Sequence, residues 1–405
     1  MLDMEFKKLS RCFLVLVCSA LIFIMLLTKL QVGVDIITQN TPLRPRHNSL
    51  VPSGELVYEE SSESVSKGMK TIYQVDSASV RARFLGYYHE KDINFDDCEY
   101  SNCIVRVTSN PYDAYGADLV MLYQHYSTNT NKSFMEAVQQ VHERAEQDGL
   151  PTVWMINGNE PPSIGLHHWK DFINKFDGAV SYGRNNLVYR PYGRVIPPTN
   201  LTHRGRPINY AANKTKGAFA YVSDCKNRGY ERVELMKKLG QFIDVDVFGG
   251  CTKVIPCKKK RGSYLGCIQD LHSDYHFYLA WENSLCQDYI TEKFWKVLKG
   301  DGYYIPVALG GLSTEEYNAV APPNSFLHFY NFSSIEQLGK YMKTLIQDHS
   351  AFNRYHDWRS LYDIDLGPSS SCKFCEMANF PTKYKRRNSN IAKKYNDRRV
   401  NCRKL

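Results

Sequence analysis

From residue 81 onward, short apolar runs alternate with stretches whose apolar positions recur at helical spacing. The runs RFLGYY, CIVRVTS, ADLVMLY, PTVWMIN and DGAVSYG read as strands, and residues 132–147 read as a helix between the third and fourth. A second series follows: AFAYVSD, a helix over residues 230–239, IDVDVFG, HFYLAWEN, a further helix, YYIPVALGG, SFLHFYN, and a helix over residues 334–348. Strands that alternate with helices build parallel sheets with right-handed crossovers, so the expected class is α/β. Two such series predict two Rossmann-like domains facing a cleft, at residues 81–205 and 206–380. The stretch PPTNLTHRGRPINYAANKTKG between them has the Pro, Gly and polar character of an exposed linker.

Ahead of this body the pattern changes. Residues 12–30 open with CFLVLVCSALIFIMLL, an uncharged run near the length of a membrane span. Lys7, Lys8 and Arg11 precede it, which keeps residues 1–11 in the cytosol by the positive-inside rule. The following TKLQVGVD offers no small-x-small cleavage site, so an uncleaved signal-anchor is preferred to a signal peptide. Residues 31–80, with PLRPRHNSLVPSGE and EESSESVSKG, read as an extended stem. The body then faces an oxidising lumen. Of the twelve cysteines, Cys12 and Cys18 lie in the anchor, and the remaining even number reads as disulfides. Cys98 with Cys103, and Cys372 with Cys375, are candidate pairs by proximity alone. A zinc site at CKFC would need a second ligand pair of matching spacing, and none is convincing. Sequons at Asn131, Asn200, Asn213 and Asn331 are candidate glycosylation sites.

With 43% hydrophobic and 13% aromatic residues the chain is globular, and its formal net charge is +9. Much of that charge sits in residues 381–405, a basic tail read as solvated and partly disordered. No folded recognition element accompanies it, so nucleic acid is not an expected partner.

The stretch FYLAWENSLCQDYITEKFWKVLKG, residues 277–300, holds the candidate chemistry. If HFYLAW is a buried strand, the polar segment after it lies at the carboxyl end of a sheet, where open α/β folds bind ligands. Asp288 or Thr291 can cap the next helix, and Tyr289 and Lys293 share one side of its first turns. A helix N-terminus beside a lysine suits phosphate, and Glu292 can accept from sugar hydroxyls. The plainer alternative is a surface pair between Glu292 and Lys296. Asp244 and Asp246 resemble a metal-binding D-x-D, but they alternate with Ile243, Val245 and Val247 and read as the outer face of a strand. His167 and His168 beside Trp169 read as structural.

FYLAWENSLCQDYITEKFW closely resembles the donor-binding motif FxFENSxxxDYxTEK of the alpha-1,3-fucosyltransferases, with Trp281 in place of the usual Phe. VWMINGNEPPS, SYGRNNLVYRPYG, YVSDCKNRGYERVELMKKL, DVFGGC and YIPVALGG follow in that family's order, from about residue 81 to 380. The resemblance implies two Rossmann-type domains facing a cleft (GT-B-like), with GDP-fucose in the C-terminal one and the acceptor against the N-terminal one. It implies a Golgi membrane protein whose Glu160, in NGNEPPS, is the general base. Arg232 would meet the diphosphate, with Arg228 the other candidate, and Lys293 would hold phosphate. Tyr289 and Glu292 would contact the sugar nucleotide, and Asn283 is the motif amide. The implied reaction is an inverting transfer of fucose to an N-acetylglucosamine residue of a glycoprotein glycan. Two cations on the diphosphate take the part of a metal, so no cofactor is required, although divalent ions can still stimulate. One segment departs from the pattern. Enzymes that decorate terminal lactosamine often carry SYRxDSDxxxPYG, whereas this chain has Gly183 for the arginine and Asn185 and Leu187 for acids. An amide pair with Arg190 would then serve a different glycan. The alternative reading is a catalytically silent relative that binds glycans or acts as a scaffold.

Overall fold

The computed structural model describes residues 68–76, 95–123, 132–161, 173–199, 208–226, 230–254, 274–366, 370–385 and 402–405. Elements are numbered in chain order. The N-terminal lobe is a sheet of six parallel strands: β1 (Lys70–Val75), β2 (Cys103–Thr108), β3 (Leu119–Tyr123), β4 (Val153–Asn157), β5 (Gly178–Ser181) and β6 (Val188–Tyr189). Their order is β2-β1-β3-β4-β5-β6. Helix α1 (Lys132–Gln147) lays Val138 and Val141 on Val120, Leu122 and Trp154 of this sheet.

A short strand, β7 (Gly193–Ile196), leads out of this lobe. The C-terminal lobe contains β8 (Lys216–Tyr221), β9 (Val245–Phe248), β10 (Tyr275–Trp281), β12 (Ile305–Leu309) and β13 (Leu327–His328), all parallel, in the order β13-β12-β10-β8-β9. Counted along the chain, that is the same 2-1-3-4-5 arrangement as the first five strands of the other lobe. β10 is buried along its whole length, as a central strand covered on both faces must be. Its alternate residues serve two layers. Phe277, Leu279 and Trp281 meet Met236 and Leu239 of α2 (Arg232–Leu239) and Leu338 and Met342 of α5 (Ile335–Gln347). Tyr278 and Ala280 meet Phe294, Trp295 and Leu298 of α3 (Glu292–Lys299) and Tyr317 of α4 (Thr314–Asn318).

The two lobes are joined by more than a linker. β7 pairs antiparallel with β14 (Asp363–Leu366), which follows helix α6 (His349–Arg354). Helix α7 (Ser371–Asn379) then returns to the N-terminal sheet, packing Phe374 and Met377 among Ile72 and Met121. Residues 370–380 therefore belong with the first lobe, a correction to the division at 206–380. Cys372, exposed at the start of α7, and Cys375, buried against the N-terminal sheet one turn later, do not bond each other. They bond Cys98 and Cys103, so the pairing by proximity is also corrected. The Asn102 and Asn379 side-chain amides exchange hydrogen bonds at 2.9 and 3.1 Å beside them.

Two further expectations change. The stem expected through residue 80 contains β1, the strand between β2 and β3. Ile72 and Val75 are buried there, in a segment too short and too close to Ser- and Glu-rich sequence to stand out. The tail expected at 381–405 begins with helix α8 (Pro381–Tyr384) and ends in strand β15 (Cys402–Arg403). β15 pairs with β11 (Leu285–Cys286), and Cys286 bonds Cys402. Cys225 bonds Cys251. The anchor at 12–30, the strand expected at RFLGYY, and His167 and His168 lie outside the described residues. Among the described residues, no helix is long and apolar enough to cross a membrane.

Candidate functional site

In the C-terminal lobe the strand order reverses between β8 and β10, and open α/β sheets bind ligands outside the carboxyl ends of the strands at that point. A cavity of about 390 Å³ lies there, walled by Ser223 and Asp224 after β8, Asn283 after β10, Arg232 of α2, and Glu292, Lys293 and Lys296 of α3. Tyr221, Tyr278 and Tyr304 also line it. Four residues expected at a donor site, Arg232, Asn283, Glu292 and Lys293, thus meet in one cleft.

Each is placed by a local rule. Arg232 is 7% exposed, and its guanidinium donates to the carbonyls of Trp281 at 3.1 Å and Asp224 at 2.9 Å, the two strand ends. Thr291, not Asp288, caps α3: its hydroxyl accepts the Lys293 N–H, and φ at Asp288 is +59°. Below the cap lies Glu282, fully buried, whose carboxylate accepts from the Thr291 N–H at 2.7 Å and from its hydroxyl at 2.8 Å. The Tyr230 hydroxyl donates to the Glu282 carbonyl. Burial pushes the Glu282 carboxyl up, against the opposing pull of Lys293. Lys293 Nζ lies 3.0 Å from Glu292 and 3.5 Å from Glu282. Burial works to lower its pKa, but the two carboxylates outweigh it and raise it above the ordinary lysine value. Burial likewise works to raise Glu292, yet the Lys293 charge and hydrogen bond hold that carboxyl below its ordinary value. Burial lowers Lys296. The result is an ionised carboxylate among three cations, a lining suited to a polyanion that also carries hydroxyls. Among the described residues the buried Oδ1 of Asn283 has no hydrogen-bond partner, so it is an acceptor suited to a ligand donor.

Glu282 and Lys296 were not expected here. The Glu282–Thr291 bracket spans nine residues across a turn, with no local period to announce it. Lys296 follows Glu292 by one helical turn, and the pair that reads as surface in the sequence lines the cleft.

Tyr289 is not on the cleft wall. It is 2% exposed, with its ring 4.9 Å from that of Tyr182 and 6.3 Å from that of Tyr192, beside the Cys286–Cys402 bond. Glu160 lies on the loop after β4 in the other lobe, and its charge reaches both Tyr192 and Tyr289. Arg190, expected to face a glycan, is 5% exposed and donates to the side chains of Asn157 at 2.5 Å and Asn159 at 2.8 Å. Arg184 bridges the lobes: its guanidinium and its backbone N–H each lie 3.0 Å from the Asp288 carboxylate. Asp244 and Asp246 are exposed, and Asp246 accepts from the Tyr275 hydroxyl. Among the described residues no cluster of His, Cys, Asp and Glu could hold a metal ion. Asn213, at φ +66°, and Asn331 are exposed; Asn131, Asn200 and Arg228 lie outside the described residues.

Comparison with known proteins gives consistent similarities. Residues 211–394 match the sequence model of Glycosyltransferase family 10 (fucosyltransferase) C-term. The chain is 36% identical to alpha-(1,3)-fucosyltransferase fut-1 of Caenorhabditis elegans over 224 residues, 51% of this chain and 48% of the relative. It is 30% identical to alpha-(1,3)-fucosyltransferase 7 of Bos taurus over 290 residues, 71% of this chain and 76% of the relative. The chain spans about half or less of the length of the first nematode and fly relatives it matches. A crystal structure of an alpha1,3-fucosyltransferase with GDP-fucose aligns with a TM-score of 0.45 and 15% identity, over 83% of this chain and 96% of its own.

Proposed function

The chain belongs to the alpha-1,3-fucosyltransferase family, and from that premise we propose that it transfers fucose from GDP-fucose to an N-acetylglucosamine residue of a glycoprotein glycan. The observation that carries this reading is the convergence of Arg232, Asn283, Glu292 and Lys293 on one cavity at the strand-order reversal. Arg232, Lys293 and Lys296 oppose the diphosphate. Glu292, held ionised by Lys293, accepts hydroxyls of the sugar nucleotide. Glu160, on the N-terminal side and near enough for its charge to act on Tyr289 of the donor motif, takes the proton of the acceptor hydroxyl in this scheme. As that oxygen bonds to fucose C1, the C1–O bond to the phosphate breaks and GDP leaves with the electron pair. Lysine and arginine stabilise the charge on the leaving oxygen, so no metal is required in this scheme.

The disulfides Cys98–Cys372 and Cys103–Cys375 support an oxidising compartment. We place the body in the Golgi lumen, held to the membrane by residues 12–30, with Asn213 and Asn331 exposed for glycosylation.

A protein starting at Tyr58 should transfer label from GDP-fucose to one member of a panel of paucimannose N-glycans, lactosamine and chitobiose. Glu160→Gln should lose transfer while still binding GDP, and Lys293→Met should lose GDP binding. A folded protein that binds no GDP would sink the donor site. GDP binding without transfer to any acceptor would favour the silent relative.

A further inference from the structure

Three contacts converge on the loop that carries Glu160. The Gly158 N–H donates to the Val180 carbonyl at 3.0 Å, Arg190 clasps the side chains of Asn157 and Asn159, and the Tyr192 hydroxyl donates to the Asn159 carbonyl at 2.5 Å. Arg190 is itself fixed, through its N–H to the Ser181 carbonyl at 2.8 Å. Each of residues 157 to 159 is thus tied, through its backbone or its side chain, to β5 or to the segment 190–192, and Glu160 is the next residue.

The far end of that segment is tied to the donor lobe. A Cβ on Gly193 would stand 2.6 Å from ring atoms of Trp295, so β7 lies directly against α3 only because residue 193 has no side chain. α3 is the helix whose first turn holds Glu292 and Lys293, and β7 is also fastened to β14. The Tyr192 ring packs edge-on to Tyr289 at 6.3 Å. One residue therefore touches the Glu160 loop through its hydroxyl and the donor motif through its ring, and is followed by a backbone fixed on the donor helix.

We propose that Tyr192, supported by Arg190, is a positioning residue that sets the distance between the Glu160 carboxylate and the bound donor. This rests on the reading of Glu160 as the base. Tyr192 touches neither proton nor phosphate; it acts through Asn159. A phenylalanine keeps the ring contact and the fold and deletes only the bond to the loop, which isolates the role. A base misplaced by under an ångström costs on the order of ten- to a hundredfold in rate. The Tyr192→Phe protein should accordingly lose about that much in kcat, with KM for GDP-fucose within about twofold of the parent. Because the two residues work as a unit, Tyr192→Phe in the Glu160→Gln background should lower the residual rate by less than about threefold. Hydrogen exchange reads the same loop without turnover, and amides 158–160 should exchange at least about tenfold faster in Tyr192→Phe, those of α3 unchanged. Arg190→Lys, which cannot clasp both amides, should reproduce the kcat loss in part.

Full multiplicativity of the two substitutions, a change confined to KM for GDP-fucose, or unaltered exchange at residues 158–160 would each overturn the proposal. Undiminished transfer by Glu160→Gln would overturn the base assignment and the proposal with it. A dead Glu160→Gln beside a fully active Tyr192→Phe would overturn the proposal alone.

Discussion

The pair Cys286–Cys402 closes the longest lever on the donor motif, and removing it by Cys286→Ser with Cys402→Ser gives a prediction with a defined size. Cys286 lies inside ENSLCQDYITEK, fully buried, and Cys402 reaches it from the end of the chain. β15 pairs with β11 in register Leu285 to Arg403 and Cys286 to Cys402. Arg403 extends the clamp: its guanidinium stacks 4.4 Å over the Tyr330 ring and donates to the Gly310 and Leu312 carbonyls at 3.3 Å each. With 116 residues between the two cysteines, loop-closure entropy alone amounts to about 4.8 kcal/mol at 25 °C. The same expression gives about 3.5 kcal/mol for Cys225–Cys251, separated by 26 residues. Residual structure in the unfolded chain trims such figures, so a loss of about 2–4 kcal/mol is expected for the double serine variant. At roughly 2 °C per kcal/mol for a body of this size, the melting temperature should fall by about 4–8 °C. Calorimetric unfolding without reductant measures this, and GDP titration should show several-fold weaker binding because the turn leading to Thr291 loses its fastening. Removal of Cys225–Cys251 should cost less in melting temperature. An unchanged melting temperature and GDP affinity, or a free Cys402 thiol in the parent by mass spectrometry, would refute the reasoning.

Three other outcomes follow from close contacts and charges. A Cβ on Gly311 would stand 2.1 Å from the Cys286 carbonyl oxygen, and backbone cannot swing aside, so Gly311→Ala should destabilise by about 2–3 kcal/mol in urea unfolding. Lys214 donates to the Tyr275 and Gly302 carbonyls at 2.8 Å each, and burial brings its pKa down from 10.5 to about 7. The unfolded chain therefore binds a proton between about pH 7 and 10.5 that the folded protein does not, stability from this group rises across that window, and Lys214→Met should flatten the rise. Asp288→Asn tolerates the φ of +59° but removes the ion pair to Arg184, and should destabilise by about 1 kcal/mol, less at high salt, with acceptor KM the parameter to measure.

The elements most legible in the sequence are those that carry their own signal. β4, β10 and β12 are apolar runs, interrupted only by Asn157 and His276, and buried from end to end, and α1 and α5 show the helical period over three turns or more. β1 was hidden because its six residues alternate only weakly and follow a polar stretch. The return of α7, the pairing of β7 with β14 and the strap at β15 are agreements between segments far apart, which no local window contains. The site divides in the same way. Asn283, Glu292 and Lys293 follow from a strand end meeting a helix start, whereas Glu282 matters through a bracket nine residues away, and Tyr192 through a carbonyl in another strand's loop.

The altered SYGRNNL segment can now be taken residue by residue, and its two missing acids are not equivalent. Leu187 packs beside the N-terminal core, its side chain 2.6 Å from where a Cβ on Gly178 would stand. A carboxylate there would have to leave that contact, so Leu187 is a packing choice within the lobe. Asn186 turns its amide onto the Gly183 carbonyl at 3.0 Å and shapes the turn. Asn185 is exposed, beside an Arg184 already committed to Asp288, and with Gly183, which stands in place of an arginine, it changes the charge this segment carries. Tyr189, on the edge strand β6 of the same sheet as the Glu160 loop, is 46% exposed. The segment thus trades charge for a turn, a packed leucine and an ion pair to the donor motif. Within it, the changes of charge fall on residues 183 and 185, while the donor cleft keeps its cations.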